Sequence, residues 1–159
     1  MTPVSTGWFT GSAVLAMHEW LLAEHGGAPG LLDEGNLDAS LASPRNHPAH
    51  ANPDVFDIAA IYAPSPTRNP PFQDGNKRIA FVIAGVFLEL NGFRLEAPER
   101  DAYHAMMALS TRGMDEVEFA GWMRANARKF RRGGERAAST AAPARKRGGT
   151  AVSRMRRPR

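Results

Sequence analysis

From Asn76 to Leu90 the chain is apolar nearly all round, so any fold it adopts has to cover this stretch on most sides. Ala80, Ala84 and Gly85 let neighbouring helices come close, which predicts the central helix of a bundle. Asn91-Gly92 would end that helix in a left-handed cap. The apolar run Ile79 to Leu88 is too short to span a bilayer and reads as a core helix. Directly upstream lies Asn69-Pro70-Pro71-Phe72-Gln73-Asp74-Gly75-Asn76-Lys77-Arg78, a glycine-centred loop with an acid, amides and two cations. The first N–H groups of a helix have no internal partners and carry partial positive charge, so the junction suits an anion such as phosphate. Lys77 and Arg78 would add full charges, and Asp74 supplies the carboxylate oxygen a hard cation such as Mg²⁺ prefers. Taken alone, the same loop also reads as a solvated turn before a buried helix.

A chain of 159 residues, 43% apolar, suffices for one buried core, and one folded domain is expected. It has no cysteine, which excludes disulfide staples and thiolate metal sites and allows a reducing compartment. Met1 to Phe9 lacks the basic-then-apolar pattern of a signal peptide, and a cytoplasmic protein is expected. Residues 131–159 carry nine Arg and one Lys against Glu135, a balance of +9. Subtracting this from the chain's +4 leaves −5 for residues 1–130, so an acidic body is followed by a basic tail. That tail has only Val152 and Met155 as large apolar residues and is expected to be disordered. It reads as a solubilising segment or as an arm with affinity for nucleic acid. The domain division is accordingly 1–130 and 131–159.

The remaining pattern is helical. Gly11 to Glu24 is a first helix, with Thr10 or Ser12 as N-cap and Gly26-Gly27 as stop. A short helix fits Asn36 to Ala42, closed by Pro44, and residues 44–53 read as a loop. Asp54 to Ala63 is a helix ending before Pro64 and Pro66, because an interior proline removes a hydrogen bond and clashes with the preceding turn. Pro98 to Leu109 and Glu116 to Lys129 are two further amphipathic helices. The expected fold is all-α, a compact bundle around the helix at about 76–91, with a small hairpin at the 44–53 loop or around Phe93 to Leu95. Of the histidines, His18 and His25 lie seven residues apart and cannot form a metal pair at helical spacing, and they read as partly exposed or core-edge. His104 is assigned to packing, and no zinc or haem site emerges.

Phe72-x-Asp74-Gly75-Asn76-Lys77-Arg78, followed by a helix of small and apolar residues, resembles the signature of the Fic/Doc (Fido) superfamily. Lys77, where Fic adenylyltransferases have a second glycine, is similar to the Doc (death-on-curing) branch. Met17-His18-Glu19 through His25-Gly26-Gly27-Ala28-Pro29-Gly30-Leu31, Leu37 to Arg45, Asp57 to Ala63 and Leu88 to Phe93 resemble the flanking parts, so the likeness spans roughly residues 8–128. A histidine at the position of His18 recurs in the family, and the 44–53 loop corresponds to a flap beside its active site. In one respect the chain departs: the family's catalytic His is replaced by Pro70. The prolines at 64, 66 and 70 also interrupt a segment that family members usually keep helical.

The resemblance implies ATP-dependent phosphorylation of a protein hydroxyl by the toxin of a toxin–antitoxin pair, elongation factor Tu being the target of the type member. Lys77 is associated with an inverted nucleotide that presents its γ-phosphate, which favours a kinase over adenylyl transfer. On this basis Asp74 would bind Mg²⁺, Asn76 and the Gly75 amide would line the phosphate cradle, Lys77 and Arg78 would contact phosphate, and Arg68 would help orient the site. Phe72, within the same nucleotide-binding motif, is assigned to anchoring the loop in the core. A cognate antitoxin is the expected partner. Pro70 has no ionisable side chain, and losing general-base assistance costs about 10²- to 10⁴-fold in rate. Three readings of Pro70 stand open: a weakened or inactive member, an inactivating substitution, or rescue by His47 or His50 of the flap. Beside the impaired kinase stand two alternatives, a catalytically inactive nucleotide- or partner-binding module with a nucleic-acid-binding tail, and a protein adenylyltransferase.

Overall fold

The computed structural model describes residues 9–46 and 52–130. His47, His50 and the Arg-rich tail lie outside the described residues, as does most of the N-terminal segment considered as a signal peptide. The elements in chain order are α1 (Gly11–His25), α2 (Glu34–Asn46), α3 (Val55–Tyr62), α4 (Ser65–Arg68), α5 (Asn76–Leu90), β1 (Phe93–Leu95), α6 (Glu99–Ser110), α7 (Glu116–Ala125) and β2 (Ala127–Lys129). The all-α expectation holds, with one small antiparallel sheet among the described residues.

The α5 helix is the centre of the molecule, flanked by α1, α3, α4, α6 and β1, while α3 packs against both α5 and α7. Ile79, Ile83, Phe87 and Leu88 are buried along it, and Phe72, Leu109, Phe119 and Met123 close the core from the neighbouring elements. Gly92, with φ +85°, turns the chain out of α5 in the left-handed conformation that the Asn-Gly pair predicts. Local capping sets the entry of three helices. Thr10 caps α1 through the Ala13 N–H at 3.2 Å. Asp54 with Asp57 and Asp115 with Glu118 form reciprocal capping boxes on α3 and α7.

Three expectations need correction. The second helix runs Glu34–Asn46, longer than Asn36 to Ala42 and with Pro44 inside it. Pro44 falls in the final turn, where its missing N–H costs a single bond. The Ser43 hydroxyl bonds Ala39 O at 2.9 Å and lies 3.2 Å from Ser65 Oγ, and α2 packs on α3 and α4. Such tertiary packing outweighs propensity in short helices. Next, Pro64 and Pro66 do end α3, but the chain resumes one helical turn, α4, with Pro66 in its first turn, where no N–H is needed. Finally, the helix expected over Glu116 to Lys129 stops at Ala125, and residues 127–129 pair with Phe93–Leu95 in the register Phe93↔Lys129, Arg94↔Arg128, Leu95↔Ala127. The strand foreseen around Phe93 therefore finds its partner far along the chain, not in a local hairpin. The ladder extends through Glu96 N–H to Asn126 O at 2.8 Å and Phe130 N–H to Gly92 O at 3.0 Å.

Candidate functional site

Two loops meet at the N-terminus of α5. The loop before it is strapped to residues 26–33 by backbone bonds: Leu32 and Asp33 N–H donate to Pro71 O at 2.7 and 3.1 Å, and Gln73 N–H to Gly30 O at 2.9 Å. Phe72 bridges Leu31 in the same register and is fully buried. Asn76 closes the loop on itself, its Oδ1 accepting from Phe72 N–H at 3.1 Å and its Nδ2 donating to Phe72 O at 2.9 Å. The side-chain amide expected in the phosphate cradle thus clamps the loop backbone.

Gly75 takes the left-handed conformation, φ +77° and ψ 14°, a shape that strains residues bearing a Cβ, and α5 starts immediately after it. This helix start has no side-chain cap and no acid in its first turn. It carries the exposed cations Lys77 and Arg78 there instead. Cations at the positive end of a helix are unfavourable by themselves and become favourable when an anion joins the N–H groups.

Asp74 is exposed and oriented from both sides, its Oδ1 accepting from Gly75 N–H at 2.7 Å and its Oδ2 from Ala28 N–H at 3.2 Å. The Gly75 bond, then the Ala28 bond, hold its carboxyl below the usual aspartate range against the opposing effect of desolvation, with smaller help from the Arg78 and His18 charges. It therefore stays ionised. No group of three or more His, Cys, Asp or Glu converges on a metal site among the described residues. One exposed carboxylate beside an anion cradle fits Mg²⁺, which keeps several waters and is shared with phosphate oxygens, better than a cation caged wholly by protein.

The cradle opens into a cavity of about 660 Å³. One side is formed by Asp74, Gly75, Asn76, Lys77 and Arg78, and the other by Phe81 of α5 and Ala102, Tyr103, Met106 and Met107 of α6, with Glu99 and His25 also at the lining. Apolar walls facing a few convergent polar groups, at this volume, are the make-up of a small-molecule site. The polar side suits phosphates and the apolar side a flat ring.

Asp74, Gly75, Asn76, Lys77 and Arg78 all line the cavity. Arg68, Pro70 and Phe72 do not line the cavity. Arg68 turns to Glu116 of α7, Nη1 to Oε1 2.9 Å, and its Nε is buried without a hydrogen-bond partner among the described residues. Pro70 is exposed, its carbonyl 3.5 Å from Asn36 Nδ2. Two histidine readings change. His104 is exposed rather than packed, and His18, read as core-edge, is buried with Nε2 2.7 Å from Asp74 O. The α6 wall carries no sequence signal beyond its amphipathic spacing, and residues 26–31, a helix stop at Gly26-Gly27 and part of the family likeness, give no local sign that the Ala28 N–H reaches Asp74.

Comparison with known proteins places the sequence in a family. The model of the Fic/DOC family matches residues 8–88, from α1 to nearly the end of α5. The Protein kinase doc of Escherichia phage P1 is 32% identical over 88 residues, which is 54% of this chain and 70% of that protein. The Toxin Doc of Mycolicibacterium smegmatis is 40% identical over 74 residues, 45% of this chain and 57% of that protein, so the match spans little more than half of its length. With the motif, the loop that carries it and half of the sequence all in agreement, the chain belongs to the Fic/DOC family.

Proposed function

We propose that this protein is a Doc-like toxin, an ATP-dependent phosphotransferase acting on a hydroxyl of a protein, impaired by Pro70 at the position of the family's histidine. The observation that carries the reading is the uncapped start of α5, with Lys77 and Arg78 in its first turn, opening onto the half-apolar cavity. Phosphoryl transfer depends on positioning and charge neutralisation more than on covalent chemistry by the protein. The α5 N–H groups would orient phosphate oxygens, and Lys77 and Arg78 would neutralise them. Asp74, held ionised, would share Mg²⁺ with the nucleotide, the ion supplying further charge neutralisation when bound. Phe81, Met106 and Tyr103 would seat the base and exclude water. Arg68 would act from outside the cavity, its fork fixed by Glu116.

Taking the proton from the acceptor hydroxyl is the part these residues do not supply, since Pro70 has no ionisable group. A second reading, a nucleotide-binding module without transfer, is favoured by that substitution alone. We further propose a cognate antitoxin as partner, elongation factor Tu as acceptor, a cytoplasmic location, a folded unit over 1–130 and non-specific nucleic-acid affinity of residues 131–159. Among the described residues no helix is long and apolar enough to cross a membrane.

The test uses the protein and its Pro70→His variant with Mg²⁺, bacterial extract and ATP labelled at the γ- or α-phosphate. Transfer of γ-label by the variant, with at least a hundredfold less by the unchanged protein, is the expected result. Transfer of α-label would replace the kinase with an adenylyltransferase. Silence from both proteins, with ATP still bound, would leave the binding module.

A further inference from the structure

We propose that His18 is a positioning residue, the N–H donor that fixes the Asp74–Gly75 peptide and through it aims both the Asp74 carboxylate and the start of α5. The inference deepens the reading of the cradle as a nucleotide-phosphate site and rests on it for its functional meaning. His18 lies on α1, is 4% exposed, and places Nε2 2.7 Å from the carbonyl oxygen of Asp74. A carbonyl only accepts, so Nε2 carries the hydrogen.

That bond does more than fill a gap. The peptide unit is rigid and planar, so drawing the Asp74 C=O inward onto His18 sends the Gly75 N–H the opposite way. There it meets Asp74 Oδ1 at 2.7 Å. The carboxylate's other oxygen is taken by Ala28 N–H, and at Gly27 an added Cβ would lie only 2.8 Å from it. The direction of the carboxylate is therefore decided between α1 and the 26–30 turn, neither of which belongs to the motif.

The ring also supports the loop from beneath. It stacks on Phe72 with centroids 3.7 Å apart and planes 9° from parallel. The position a Cβ would take on Gly75 is 3.4 Å from Nε2, so the imidazole abuts the left-handed turn. His18 does not line the cavity. Its influence on a ligand passes through Asp74 and Gly75, which distinguishes it from the residues that would touch phosphate.

Two substitutions separate the donor from the ring. His18→Phe keeps an aromatic ring against Phe72 and removes the N–H, whereas His18→Gln removes the ring and retains an amide donor. The readouts are amide hydrogen exchange over residues 73–78 in the ligand-free protein, and affinity for ATP with and without Mg²⁺. His18→Phe is expected to speed Gly75 exchange at least tenfold and to weaken Mg²⁺-ATP binding at least tenfold, more than it weakens ATP alone. His18→Gln is expected to recover both to within about threefold. His18→Met, which also lacks a strong donor, is read in the same way if the Phe variant does not fold. Exchange at Gly75 unchanged in the donor-less variant, or impaired more by Gln than by Phe, would overturn the proposal and make His18 a packing residue. A wild-type protein without ATP affinity, whose Gly75 exchange still depends on the donor, would instead sink the nucleotide reading and leave His18 as the residue that sets the loop.

Discussion

Replacing Asn76 by alanine isolates what holds the motif loop in shape. The Asn76 side chain satisfies both main-chain groups of Phe72, at 3.1 and 2.9 Å, in a half-buried setting. Asn76→Ala orphans an N–H and a C=O next to a residue that is itself 1% exposed. At the lower end of the range for unsatisfied groups, about 1–1.5 kcal/mol each, the loss is roughly 2–3 kcal/mol. The better helix propensity of alanine returns about 0.5 kcal/mol, leaving a net destabilisation of about 2 kcal/mol. For a domain of this size that corresponds to a fall in Tm of roughly 6–10 °C. Urea unfolding should show the midpoint shifted at unchanged slope. Asn76→Asp keeps an acceptor for the Phe72 N–H and adds a favourable charge at the helix start, worth about 0.3–1 kcal/mol, so it should lose less stability while repelling phosphate. An Asn76→Ala protein within about 0.5 kcal/mol of wild type would refute the reasoning, because the loop would then be held by the 26–33 strap alone.

Further outcomes are expected. Lys77→Gln and Arg78→Gln should each weaken ATP binding by about 10- to 100-fold, the worth of one charge-assisted hydrogen bond, with a reduced salt dependence in titration calorimetry; unchanged affinity in both would remove the cradle. The Asp74 carboxyl is held below its ordinary value of 3.8, so its stabilising effect is fully present above that pH and is lost as pH falls through the lowered value. Asp74→Asn should accordingly show a shallower loss of stability on acid titration below about pH 4, and superimposable curves would contradict this. Asp54 caps α3 by accepting from Phe56 and Asp57 N–H, both at 2.9 Å, so Asp54→Ala should cost about 1 kcal/mol in thermal unfolding, and a neutral result would deny the capping box its role.

The site divides according to how far along the chain its interactions reach. Lys77 and Arg78 follow the glycine that turns the chain into α5, so their place at the helix start is a matter of consecutive residues and was readable in order. Asn76 belongs to the same stretch, yet its amide faces back to Phe72, a direction that depends on Phe72 being drawn into the core. His18 and Asp74 are 56 positions apart, and no local pattern distinguishes a helix histidine that packs at an edge from one that holds a distant carbonyl. The family resemblance assigns Arg68 to orienting the site, but the bend at Pro64 and the turn of α4 aim it at Glu116.

By itself the sequence determined a helical bundle around Asn76–Leu90, the cap at Thr10, the glycine turn before α5, and the family. Each rests on short-range sterics, on hydrogen bonds within a few residues, or on the need to bury one apolar helix. Only the tertiary structure decided that residues 127–129 leave their helix to pair with Phe93–Leu95, that α6 supplies the apolar half of the cavity, and that His18 reaches Asp74. These are contacts between surfaces remote along the chain, and their energy exists only once α5 has been covered and the elements around it are held in place.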